Sequence, residues 1–165
     1  MITTTKKSLK VGKYVSTAHV NEVISNYKKE RWVHNSERIG KEDSLSAWYS
    51  VEELEEFIAK IKDHGADGIK LYFAAYSADY AERPEYAARQ TLVLVGTKHN
   101  ETPTGAANKD IYIQTEKGAE ILAYNASNIC PPSCGSRWPN TGEEDGLGDI
   151  GITIVDRGEK GLTIV

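Results

Sequence analysis

Between residues 46 and 98 the spacing of apolar and polar positions changes repeatedly, and each change marks an element. The order read from it is strand, capped helix, strand, long tyrosine-rich loop, strand. Ser50 with Glu53 three residues on forms a capping box, in which each side chain satisfies an amide at the start of a helix. Val51, Leu54, Phe57, Ile58 and Ile61 then recur at three- and four-residue spacing and share one helical face. Glu52 and Glu53 fall in the first turn and Lys60, Lys62 and His64 in the last, as the helix dipole favours. Gly65 supplies the left-handed residue that closes such a helix.

Past Gly65 the period becomes two. Ile69, Leu71, Phe73 and Ala75 alternate with Lys70, Tyr72, Ala74 and Tyr76, a strand whose second face is tyrosine-rich and only half polar. Residues 91–97, TLVLVGT, run continuously apolar, as a strand covered on both faces does. Upstream, Val20, Val23, Ile24 and Tyr27 predict a helix over 17–31 with a core-facing stripe, capped by Ser16 or Thr17 and carrying Lys28, Lys29 and Arg31 at its end. The polar run HNSERIGKED after it reads as a connection with a turn at Gly40. Residues 110–114 and 119–124 alternate around TEKG and predict a hairpin, and GITIVDRGEKGLTIV predicts another, turning at Gly158 and Gly161.

The fold expected from these elements is α+β, a mainly antiparallel sheet of five or six strands with two helices packed on one face. The 165 residues fit a flexible start over 1–15 and a single domain over 16–165. Residues 125–149, rich in Gly, Pro, Ser and Asn, form a long loop before the last hairpin.

Charge narrows the partners. A net charge of −4 argues against nucleic acid and anionic membranes, and Lys6, Lys7, Lys10 and Lys13 read as a solvated start. With no signal-like segment and no apolar run long enough to span a bilayer, a soluble, cytoplasmic protein is expected. A homo-oligomer is compatible with the pattern, and no cofactor is indicated.

Three stretches carry candidate chemistry. Cys130-Pro-Pro-Ser-Cys134 reads as two free thiols, as a short-loop disulfide, or as half of a metal site that lacks a second cysteine pair. Glu143, Glu144, Asp145 and Asp149, among glycines, offer oxygen ligands for calcium without matching an EF-hand, and so read first as a solvated loop. The loop over 77–90 holds Tyr80, Arg83, Tyr86 and Arg89 between two strands. Loops mounted on a rigid sheet are where recognition residues concentrate, and tyrosine and arginine dominate hot spots. With Tyr72 and Tyr76 of the preceding strand they form the candidate surface for a small polar ligand or a protein partner. The competing reading makes residues 84–89 a short helical turn with Tyr86 packed on the sheet. Alanine at Arg83 and Arg89 is then expected to abolish binding at little cost in stability.

The common nucleophile, metalloprotease and phosphate-cradle motifs are missing. A small hydrolase or transferase, built on Cys130 or Cys134 with a histidine such as His99 or on a loop-bound metal, is the alternative to a binding module. A self-assembling subunit that pairs exposed strand edges is the third.

Trp48-Tyr49-Ser50, the run Gly65-Ala66-Asp67-Gly68-Ile69-Lys70-Leu71-Tyr72-Phe73 with Tyr76, Pro84-Glu85-Tyr86-Ala87-Ala88-Arg89-Gln90-Thr91, Thr97-Lys98 and the Asn-rich approach to Cys130-Pro131-Pro132 together resemble a group of small bacterial proteins. The resemblance covers positions 44 to 134. It implies no activity, cofactor or catalytic residue, but it implies that the tyrosine loop and the cysteine element belong to one surface.

Overall fold

The computed structural model describes residues 9–134, 154–156 and 158–164. The chain divides into two compact units, one of residues 1–29 with 139–165 and one of residues 30–138. The acidic glycine run at 143–149 lies outside the described residues.

In the first unit, α1 (Thr17–Tyr27) starts at Ser16, whose side chain accepts the N–H of His19. The expected stripe is not a core among the described residues: α1 has no buried residue, and Val23 is exposed. Strands β9 (Ile154–Asp156) and β10 (Leu162–Ile164) pair antiparallel as a hairpin. Gly158 and Gly161 take the positive φ angles that its turn needs.

The region after Tyr27 corrects the expected helix end and polar connection. A π-helical turn, Lys28–Trp32, follows, and then α2 (Val33–Ile39). Gly40 is the left-handed cap of α2 rather than a free turn, and the Gly40 and Lys41 N–H groups return to the Glu37 and Ser36 carbonyls. The Trp32 indole donates to the Asp43 carbonyl at 2.8 Å, and the Ser36 hydroxyl accepts the Asp43 N–H. A polar sequence is helical here because both its ends are tied down.

The second unit is built on a four-stranded antiparallel sheet. Strand β2 (Gly68–Ala75) pairs along its full length with β3 (Gln90–Thr102). The opposite edge of β3 pairs with β7 (Ala123–Tyr124) and then with β4 (Gly105–Asp110). Strands β5 (Tyr112–Thr115) and β6 (Gly118–Ile121) make a separate hairpin at the expected TEKG turn. Strand β1 (Ser46–Trp48) pairs with β8 (Asn128–Cys130), a strand inside the stretch read as a loop. The α+β character therefore holds, but the strands form several small sheets instead of one sheet of five or six.

Helix α3 (Val51–Asp63) carries the complete capping box, and Gly65 closes it at a φ of 82°. Phe57 and Ile61 of α3 are buried with Leu94 and Leu122, and Tyr49, Leu54, Ile69, Ile111, Ile113 and Tyr124 pack around them. Gly96 belongs to this contact: a Cβ there would lie 2.9 Å from Ile61 Cγ2. Val51 is exposed, so the stripe is narrower than its periodicity suggests.

A candidate site at the tyrosine and arginine loop

Strands β2 and β3 hold the ends of the loop over 77–90, and its closure is local chemistry. The Tyr76 N–H donates to the Arg89 carbonyl at 3.0 Å, and the Ala88 N–H to the Ser77 carbonyl at 3.0 Å. Pro84–Tyr86 forms a 3₁₀ turn, with Pro84 in the first position where its missing N–H costs nothing. Ala88 takes a left-handed φ of 61°, a conformation that costs a side-chain-bearing residue on the order of 1–2 kcal/mol.

Three rings meet over this turn. Tyr76 stacks on Tyr80 with centroids 4.4 Å apart and tilts against Tyr86 at 5.8 Å. The Arg83 guanidinium carbon lies 3.8 Å from the Tyr86 ring centroid, and its Nε donates to Glu85 at 3.0 Å. The Tyr80 phenol donates to Glu82 at 3.1 Å; lost solvation and then that carboxylate hold its pKa above the ordinary value. Glu85 is held below the usual carboxylate range by its own backbone N–H and then by Arg83.

The candidate residues divide by burial. Tyr86 is 1% exposed and Arg89 8%, whereas Tyr80 and Arg83 are half-buried at the surface. Arg89 donates from Nε to the Glu85 carbonyl, which fixes the 3₁₀ turn from beneath. Its burial corrects the expectation that Arg89 can be truncated at little structural cost. Tyr72 stands apart: its hydroxyl donates to Asp110 at 2.6 Å, and Lys70 reaches the other oxygen of that carboxylate at 2.6 Å.

Cys130 and Cys134 form a disulfide, the second of the three readings. Neither sulfur is a free thiol. Their loop closes against the candidate site, because Tyr86 Oη and Ser133 Oγ lie 3.0 Å apart. The Ser44 hydroxyl donates to the Pro131 carbonyl and the Leu45 N–H to the Cys130 carbonyl, which fastens the element to the start of β1. His99 is engaged elsewhere, at 2.9 Å from Asn108 Oδ1.

Two residues that the sequence did not single out organise the site. Asp43, 3% exposed, accepts the N–H of Gln90 at 2.6 Å and that of Ser44 at 2.7 Å. Asn125 donates to the Leu92 carbonyl at 2.6 Å and to Thr91 Oγ1 at 3.1 Å, and it accepts from the Tyr76 phenol at 3.1 Å. Nothing in their local sequence signals this, since an Asp in KED and an Asn in YNAS both read as loop residues. Among the described residues no group of three or more His, Cys, Asp or Glu side chains is placed to hold a metal, and no helix is long and apolar enough to cross a membrane.

Comparison with known proteins finds no matching family model, no matching curated protein and no matching solved structure. The functional reading therefore rests on the chemistry of this surface.

Proposed function

We propose that this chain is a non-catalytic interaction module that engages a protein partner through Tyr80 and Arg83, with Tyr76 behind them and Tyr86 and Arg89 as their support. The observation that carries the reading is the prior fixing of both half-buried surface groups. The Tyr80 ring is already stacked on Tyr76, and the Arg83 guanidinium already lies over Tyr86 and is held by Glu85. Binding then costs little side-chain entropy, which is what distinguishes a hot-spot residue from an exposed floppy one. The left-handed Ala88 supports the same reading, since backbone strain is retained where the surroundings enforce it. Cysteine catalysis needs a thiolate, which neither sulfur supplies while the disulfide is closed.

The test places a photo-crosslinking residue at Ala81, exposed beside Tyr80, and identifies the captured protein by mass spectrometry. Affinity is then measured with that purified partner. Tyr80→Ala and Arg83→Ala each remove one ring contact and are expected to cost about 0.5–1.5 kcal/mol while leaving the fold intact, and to weaken binding by roughly tenfold or more. Wild-type affinity in both variants overturns the proposal.

A further inference from the structure

The two edges of the β2–β3 pair are treated differently. Tyr76 N–H bonded to the Arg89 carbonyl fixes which backbone groups face which way. By alternation, the even-numbered residues of β2 point their N–H and C=O groups at β3, and Ile69, Leu71, Phe73 and Ala75 point theirs outward. On the far edge of β3 the corresponding groups are covered over 90–92. Asp43 takes the Gln90 N–H, while Asn125 and the Tyr49 hydroxyl share the Leu92 carbonyl. No described strand pairs with the outer edge of β2.

That open edge also lacks the usual protection. Natural edge strands are blunted by proline, bulges or outward charges. The β2 register runs without a bulge from Gly68 to Ala75, and its single charge, Lys70, is turned onto Asp110 at 2.6 Å. Leu71 is 57% exposed and Phe73 83%, on the sheet face that buries Leu94 farther in.

From this edge we infer that β2 pairs antiparallel with β2 of a second copy of this chain, about a two-fold axis at Tyr72. The strand is self-complementary in that register. Leu71 lies opposite the second copy's Phe73 and Phe73 opposite its Leu71, which joins the four exposed apolar side chains in one cluster. Lys70 faces an alanine, so no like charges meet. The outward residues form the narrow pairs, giving roughly eight main-chain hydrogen bonds. Leu71, Tyr72 and Phe73 contribute roughly 300–400 Å² per copy. With the strand backbone this stays below the roughly 800 Å² per partner of a standard interface, so the dimer is a reversible one. The inference is independent of the tyrosine loop, and Arg83→Ala is expected to leave the dimer intact.

Sedimentation velocity on the full chain at rising concentration tests the association, and Tyr72→Cys tests the register. In the paired strands the two Tyr72 positions are a wide, non-hydrogen-bonded pair about 4.5 Å apart at Cα, within reach of a disulfide. Mild oxidation is expected to cross-link Tyr72→Cys into a dimer and to leave Ala74→Cys monomeric. Leu71→Lys and Phe73→Lys, at exposed positions that folding does not need, are each expected to weaken association roughly tenfold or more. A monomer at every concentration overturns the inference, whether its outward amides exchange freely or are covered by its own chain or a bound peptide. A dimer indifferent to both lysine variants overturns it as well, because another surface then makes the contact.

Discussion

The phenol oxygen of Tyr86 lies 3.0 Å from Oγ of Ser133, 47 residues away in the chain. Through this contact the turn that carries Arg83 rests on the disulfide-closed loop of Cys130 and Cys134. Tyr86→Phe keeps the ring under Arg83 and removes only the bond, so it is expected to cost about 0.5–1.5 kcal/mol. Tyr86→Ala also empties a fully buried site and is expected to cost about 3–5 kcal/mol. Denaturant unfolding with unchanged slope measures both.

Asp43 is the second structural anchor. Replacing it with alanine strands the N–H groups of Gln90 and Ser44. Bonds to a charged acceptor contribute roughly 1.5–3 kcal/mol each, so Asp43→Ala is expected to lose about 3–5 kcal/mol. Asp43→Asn retains one oxygen acceptor and is expected to recover part of that loss. Equal destabilisation by the two variants contradicts the assigned role.

The Lys70–Asp110–Tyr72 group makes stability depend on pH at both ends. Its bond to Lys70, and then that to Tyr72, hold Asp110 below the usual carboxylate range. The contribution is therefore present above the unfolded value of about 3.9 and is lost as pH falls through the lower folded value. Asp110 in turn raises Lys70, whose contribution is present below the unfolded value of about 10.4 and is lost as pH rises through the folded one. Melting temperature against pH is expected to flatten in Asp110→Asn at both limbs relative to the wild type. Parallel curves contradict it.

Ala88 holds a left-handed conformation that glycine adopts without penalty. Ala88→Gly is expected to be neutral or stabilising by up to about 1 kcal/mol, against the usual cost of introducing glycine. A loss of more than about 1 kcal/mol in thermal unfolding contradicts that backbone assignment.

Helix α3 was legible because its start is local chemistry: Ser50 and Glu53 satisfy each other's amides wherever the chain goes next. The alternation of β2 was legible for a similar reason, although it says nothing of which neighbours pair. α2 was hidden because Val33–Ile39 is polar, and its boundary depends on Gly40 acting as a helix cap, a role that looks identical to a turn in sequence. β4, GAANKD, has no apolar alternation and exists only because β3 continues far enough to pair with it. At the site, the sequence located the loop but not the division between presenting and supporting residues. Tyr80 and Tyr86 differ in burial because the Pro84–Tyr86 turn directs only the second inward. Asp43 and Asn125 were invisible, since their partners are backbone groups far along the chain.

The loop over 77–90 is a fixed platform and not a mobile tether, because its own amides are bonded within it. Native-state amide hydrogen exchange reads this at Tyr86, Ala88 and Arg89, whose N–H groups bond to the Arg83, Ser77 and Tyr86 carbonyls. These amides are expected to be protected nearly as well as those of β3, and to lose protection together in Tyr86→Ala. Exchange at the rate of an open loop, unchanged by that substitution, contradicts the account.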